Sequence, residues 1–190
     1  GSLRDVLAIY ALAKQHNTPM FSSSSLRFNT VAALQSAKYG EMRGASTYGP
    51  CELEPHHPDL YWYGIHAVEM LYTVMGRGCQ TVVRTHTPNV DVVTGVWSDG
   101  RVGTMRGNRA TRSGYGVTVF GSAGIVTPEV KTGYGALLKE IVKFFQTGVA
   151  PVAAEDTIEL MAFMEAADES KRRGGAPVSL ADVLKANQPK

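Results

Sequence analysis

His66 stands four positions after Trp62 and three before Glu69, in the stretch YWYGIHAVEML from Tyr61 to Leu71. At about 100° per residue, Trp62, His66, Glu69 and Thr73 fall on one side of a helix, so an indole, an imidazole, a carboxylate and a hydroxyl share a stripe. Such a stripe is either the wet side of the helix or one wall of a cleft. In a cleft, an imidazole, which titrates near neutrality, passes a proton in either direction. The thinness of the stripe favours the cleft. Leu60, Gly64, Val68, Leu71 and Met75 form one apolar line down the same helix, and Tyr63, Ala67, Met70 and Val74 form a second. Tyr61, Trp62 and Tyr63 add rings that make apolar walls with polar tips.

Other residue types capable of chemistry lie nearby. CELEPHHPDLYW supplies Glu52, Glu54, His56, His57 and Asp59, all possible ligands of a divalent ion. Adjacent histidines point in different directions, and no familiar helical ligand spacing is present. A loop before a helix start explains the cluster more simply, with Pro58 in the first turn and Asp59 facing the helix dipole. No metal site is expected. Cys51 and Cys79 have no partner spacing for zinc or redox work and read as buried free thiols. The chain contains no G-x-G-x-x-G after a strand, no phosphate loop and no G-x-S-x-G elbow.

Bulk properties exclude several classes. Nineteen basic against seventeen acidic residues leave a net charge of +2 with no basic stripe, which speaks against nucleic acid and anionic membrane as partners. The one local cluster, SKRRGG from Ser170 to Gly175, ends a helix: its cations complement the last carbonyls and its glycines stop the turn. No apolar run approaches the ~18 residues of a membrane span. With 190 residues and 44 % hydrophobic content, one compact domain that needs no disulfide or metal staple is expected. Gly1-Ser2 reads as a cloning remnant, so the chain is expected to begin inside a longer protein. A cytoplasmic location is expected, with export left open by the missing natural N-terminus.

These residues need elements to place them. LRDVLAIYALAK has helical spacing with Asp5 in its first turn and Lys14 in its last. A Thr18-Pro19 break leads to a strand at Met20-Phe21 and a serine run whose hydroxyls either make loop hydrogen bonds or line a crevice. A short helix over Val31 to Lys38 precedes a strand from Gly40 to Pro50. Asp59 to Met75 is the longest buried helix, closed by Gly76. The period then changes to two: CQTVVRTHT, VDVVTGVWSDGRVGTMRG, YGVTVFGSAG and GIVTPEV are strands, with a two-residue hairpin at Asp99-Gly100. Two further helices follow. The fold class is therefore α+β, with helices on one face of a large, mainly antiparallel open sheet. The strands between Thr81 and Val126 leave one sheet face uncovered, which predicts a homodimer or dimer of dimers through it.

LRDVLAIYALAKQHNTPMFSSSSLRF, GEMRGASTYGP, LYWYGIHAVEMLYTVMG and the stretch from Gly133 to Leu180 together resemble the Gfo/Idh/MocA family of nicotinamide-dependent sugar and polyol oxidoreductases. The most specific parts are Leu26-Arg27-Phe28, the Gly-Ile-His helix and the ending from Ala154 to Ser179. The resemblance implies that residues 1–23 are the last helix and strand of a truncated Rossmann domain. Residues 24–190 would then be the C-terminal α/β domain that carries substrate contacts and subunit interfaces. The glycine loop and the Glu-Lys-Pro motif would lie upstream. NAD or NADP thus belongs to the full-length protein, and neither cofactor nor activity is expected of this fragment alone.

His66 matches the family histidine that acts as general acid/base at the substrate hydroxyl. Trp62 stands where the family has an aspartate one turn earlier, and an indole donates one hydrogen bond and takes no proton. Glu69 could replace that acid and Tyr63 could supply a phenol. Arg27 matches a cation at the domain junction that meets substrate or cofactor phosphate, or else makes a structural salt bridge. Trp62, Tyr63, Glu69 and Arg27 are accordingly the expected substrate-binding residues around a catalytic His66. The implied function is oxidation or reduction of a sugar or polyol. Two other readings remain: a non-catalytic sugar-binding or assembly module on the same scaffold, motivated by Trp62, and a metal-assisted hydrolase or lyase using the Glu52 to Asp59 cluster.

Overall fold

A computed structural model describes residues 2–112 and 114–188. Helix α1 (Leu3–Gln15) starts where Ser2 Oγ accepts from Asp5 N, and α2 (Ser25–Leu34) starts where Ser24 Oγ accepts from Leu26 N. Strand β1 (Met42–Pro50), helix α3 (Gly64–Met75) and strands β2 (Cys79–His86), β3 (Val90–Trp97), β4 (Val102–Asn108), β5 (Gly116–Gly121) and β6 (Gly124–Val126) follow. Helices α4 (Gly135–Thr147) and α5 (Ala154–Arg172), strand β7 (Val178–Ser179) and helix α6 (Leu180–Ala186) complete the chain.

The seven strands form one open sheet in the order β6-β5-β1-β4-β3-β2-β7. It is mostly antiparallel, as the alternating segments predict. The exception is β1, which pairs parallel with β4 from Gly44–Val102 to Pro50–Asn108. Helix α3 lies over β1 and β4, and α5 lies over β2; α1 packs on α5, and α2 on α3. The core sits between these helices and the sheet. Tyr72, Trp97 and Phe163 meet there with centroids 5.6–6.5 Å apart. Gly95 and Gly103 make room for them: a Cβ at Gly95 would lie 2.8 Å from both Phe163 and Trp97. Helix α4 buries no residue, and Leu138, Val142 and Phe145 on it are exposed.

Four local expectations are corrected. Met20-Phe21 forms no strand, because no neighbouring strand offers it a ladder, and the residues run unpaired into the serine cap. The short helix begins at Ser25 rather than Val31, since the Ser24 hydroxyl supplies the missing acceptor of a helix start. Asp59 to Met75 is not one helix and not the longest, which is α5 with 19 residues. It breaks into a 3-10 turn, Asp59–Tyr61, and α3, with Trp62 at φ −82°, ψ −81° between them. Gly64 lets α3 begin in close contact, since a Cβ there would meet Cys51 Sγ at 3.0 Å. The β3–β4 hairpin has a three-residue loop, Ser98 to Gly100: Gly100 N donates to Trp97 O and Gly100 alone takes positive φ, 84°. Asp99 stays at negative φ because its carboxylate accepts from Arg101 N.

At one end of the helix–sheet interface lies a buried ion cluster. Arg84 is fully buried and donates through Nε to Asp91 (2.8 Å) and through its terminal nitrogens to Asp59 (2.9 Å) and Asp168. Asp91, equally buried, also receives Arg109 at 2.5 Å and His86 at 2.7 Å, while Lys171 reaches Asp59 at 2.5 Å. Burial alone would raise the pKa of Asp91 and Asp59, but Arg84 with Arg109, or Lys171 with Arg84, holds each below the usual carboxylate value. Asp168 differs. Its burial, with Asp59 and Glu165 close by, outweighs its share of Arg84 and pushes it up to about 6.

Candidate functional site

The start of α3, the N-terminus of α2, the residue before β5 and the segment before α4 converge on His66. Because α2 packs on α3, the Ser24 cap faces that helix, and Ser24 Oγ lies 3.0 Å from His66 Nδ1. Two phenol rings stand nearly perpendicular to the imidazole: Tyr63 at 6.1 Å and 81°, and Tyr115 at 5.9 Å and 89°. His66 Nε2 has no partner among the described residues and is not among their sealed, unpartnered polar atoms. The ring lines a hollow of about 680 Å3 walled by Trp62, Tyr63, Tyr115 and Tyr134. Desolvation holds the His66 pKa below its ordinary value, against a weaker upward pull from Glu69. The ring is therefore neutral at pH 7, with a lone pair and an N–H to offer.

Glu69 lies on the same side of α3 but is closed off. Only 5 % exposed, it accepts from Ser23 Oγ (2.8 Å) and Arg27 Nε (2.9 Å) through Oε1 and from Ser24 N (2.7 Å) through Oε2. This carboxylate thus ties the serine run and α2 onto α3. Arg27 uses Nε for that pair, and its NH1 lies 4.0 Å from Asp156. Arg27, Glu69 and His66 line a second, smaller hollow of about 150 Å3 together with Ser22, Ser23 and Ser24. The serine run therefore does both things open to it: it makes loop hydrogen bonds and lines a crevice.

Trp62 does not stack under His66 by one helical turn, because the backbone break precedes α3. It stands on the rim, its ring 5.0 Å from His57 and 5.8 Å from Tyr63. Sequence spacing places His66, Trp62, Tyr63 and Glu69 in one neighbourhood, the family resemblance adds Arg27, and the structure brings all five to the two adjoining hollows. It adds Ser24, Tyr115 and Tyr134, which helical spacing around His66 could not reach. Only the bias of FSSSSL hinted at one of them.

The Glu52 to Asp59 segment is used otherwise. Glu54 meets His56 Nδ1 at 2.7 Å and His57 Nδ1 at 2.6 Å, and Asp59 belongs to the Arg84 cluster. Among the described residues, no group of three or more His, Cys, Asp or Glu could hold a metal ion. Cys51 and Cys79 are free and buried, and burial pushes their thiols up to about 11 and about 12, so neither is a thiolate near neutrality. No helix among the described residues is long and apolar enough to cross a membrane. Among the described residues no G-x-G-x-x-G run follows a strand to cradle a dinucleotide pyrophosphate.

No family model matches the sequence, and no curated protein matches it. Solved structures do match the fold. A probable dehydrogenase from Thermotoga maritima is 18 % identical with a TM-score of 0.77, over 96 % of this chain and 71 % of that one. An oxidoreductase from Agrobacterium radiobacter, solved with NAD+, L-tartaric acid and magnesium, is 15 % identical (TM-score 0.73, 95 % and 70 %). The apo scyllo-inositol dehydrogenase from Lactobacillus casei is 14 % identical (TM-score 0.69, 95 % and 69 %). At these identities the likeness establishes the fold, which is that of Gfo/Idh/MocA-type oxidoreductases. The chain spans about 70 % of the length of each of these structures.

Proposed function

We propose that this chain is the substrate-binding and oligomerising part of an NAD(P)-dependent oxidoreductase acting on a sugar or polyol, with His66 carrying the proton of the substrate hydroxyl. One observation supports this most: a neutral imidazole has one nitrogen held by Ser24 and the other without a protein partner, beside a hollow walled by aromatic rings. The hollow's volume falls within the range of small-molecule sites. Trp62 and Tyr63 are the rings on which a sugar face would stack. Arg27, whose terminal nitrogens make no hydrogen bond among the described residues, is the cation for a substrate oxygen in the smaller hollow. Glu69 serves substrate binding by holding Arg27 and the serine run in place. The dinucleotide would belong to a nucleotide-binding part of which residues 1–23 are the closing helix and segment and the remainder lies outside these residues.

Replacing His66 by Ala in a protein that includes the nucleotide-binding part should lower turnover by roughly two to four orders of magnitude. Unchanged turnover would remove His66 from the chemistry. Trp62 on the rim, in place of an acid, favours a second reading: a sugar-binding or assembly module without turnover. Titration with NAD(P)H separates the two, because a protein that binds sugar but no dinucleotide fits only the second. The proposed assembly is a homo-oligomer through the sheet face opposite the helices, where Val96, Val102 and Phe120 are exposed. Light scattering that gives a monomer would refute it.

A further inference from the structure

Ser24 makes three hydrogen-bond contacts through its amide and hydroxyl where α2 meets α3, while its carbonyl accepts from Ser23 Oγ at 3.0 Å and Arg27 N at 3.3 Å. Its Oγ accepts from Leu26 N at 3.2 Å, its N donates to Glu69 Oε2 at 2.7 Å, and its Oγ lies 3.0 Å from His66 Nδ1. A capping hydroxyl that already accepts from its own helix still has one proton to donate. Among the described residues, His66 Nδ1 is the acceptor recorded for that proton. If Ser24 donates, Nδ1 is bare, and a neutral imidazole then carries its hydrogen on Nε2.

We propose that Ser24 is a positioning residue that holds the resting His66 ring in its Nε2–H form, so that the hollow presents a hydrogen-bond donor to a carbonyl or hydroxyl oxygen of the ligand. The proposal rests on the reading of His66 as the proton-carrying group. A carboxylate in the same place could only accept; it would draw the hydrogen to Nδ1 and turn Nε2 into an acceptor. A hydroxyl can do both. When the ring takes up a second proton, which can only go to the bare Nδ1, the Ser24 hydroxyl turns and accepts from Nδ1–H with its second lone pair; the imidazolium can then give its Nε2 proton to the ligand oxygen while the ring keeps its orientation. The other groups around the imidazole are Glu69 and Arg27 beneath it, paired to each other, and the phenols of Tyr63 and Tyr115 on either side. None of these is recorded in a hydrogen bond to either ring nitrogen, so the tautomer is set at Ser24.

Long-range proton–nitrogen NMR of the chain labelled with 15N-histidine tests this, with the His66 signals assigned through His66→Gln. At pH 8 the wild-type ring should show its hydrogen on Nε2. Ser24→Asp keeps a good N-cap. It should move the hydrogen to Nδ1 and raise the titration midpoint of His66 by about 1 to 3 pH units. Ser24→Thr should preserve the wild-type pattern. A wild-type ring with its hydrogen on Nδ1, or a Ser24→Asp ring that titrates as wild type does, overturns the proposal. Neither readout needs turnover. An inactive protein with the expected tautomer would count against the oxidoreductase reading alone, and an active one with the wrong tautomer against Ser24 alone.

Discussion

Two charge clusters fasten helices in this molecule, one around Arg84 and one around Glu69, and they are finished differently. At Arg84, three carboxylates share one fully buried guanidinium, and Asp91 takes two more donors. The cluster is closed on itself. At Glu69 the carboxylate is as fully satisfied, by Ser23, Ser24 and Arg27, but the next polar group along α3 is not. His66 has one nitrogen bound and one without a partner, beside a hollow lined with rings. Density of charge therefore does not mark the proposed site. An incompletely partnered polar atom at an opening, held by a cluster that is complete, is the better sign.

The contrast can be broken or sharpened by substitution. Arg84→Met should have the largest effect, a loss of about 3 to 5 kcal/mol of stability in urea unfolding, because it strands buried carboxylates without their cation. A loss below about 1 kcal/mol would mean that the cluster is wetter than its burial indicates. Glu69→Ala should cost roughly 2 to 3 kcal/mol by removing the acceptor of charge-assisted bonds from Arg27 and the serine run. It should also disturb ligand binding, since Ser24 loses an anchor.

Asp168 titrates with the opposite sense to Asp59 and Asp91. Its pKa is raised in the fold, so its contribution to stability is complete below about pH 4 and is lost as pH rises through about 6. The stability of wild type minus that of Asp168→Asn should therefore fall by roughly 2 kcal/mol between pH 4 and pH 7. A difference that rises over this window would show that Arg84 stabilises the Asp168 carboxylate more than burial penalises it. His66→Gln should have the smallest effect on stability, under about 1 kcal/mol, since it removes one neutral hydrogen bond. Destabilisation as large as that of Glu69→Ala would make His66 part of the scaffold and end the contrast.

The same two regions show what the sequence could carry. The stripe Trp62, His66, Glu69 and Thr73 pointed to the helix that carries the proposed site, and the period-two runs gave the meander β2–β3–β4, because both patterns are local. The break at Trp62 was illegible. It depends on Asp59 being drawn to Arg84 and Lys171, residues distant in sequence whose pairing leaves no mark on local spacing. Glu69 read as an open acid for a similar reason: its partners sit 42 to 46 positions upstream. Ser24, Tyr115 and Tyr134 reach His66 only through tertiary packing. The serine cap of α2 was overlooked because a run of serines offers several equivalent starts, and the one used is chosen by its neighbours Glu69 and His66.

The placement of β1 bears on how the molecule assembles. Strands β4 and β5 follow one another along the chain, yet β1, from the first third of the sequence, lies between them. Hairpins β2–β3 and β3–β4 can zip locally, whereas the sheet centre closes only when a distant segment threads into a waiting gap with loop entropy against it. Intermediates that lack β1 would expose two raw edges in the middle of the sheet. Refolding should accordingly be governed by that late insertion, and partly folded chains should be most prone to stick to one another there.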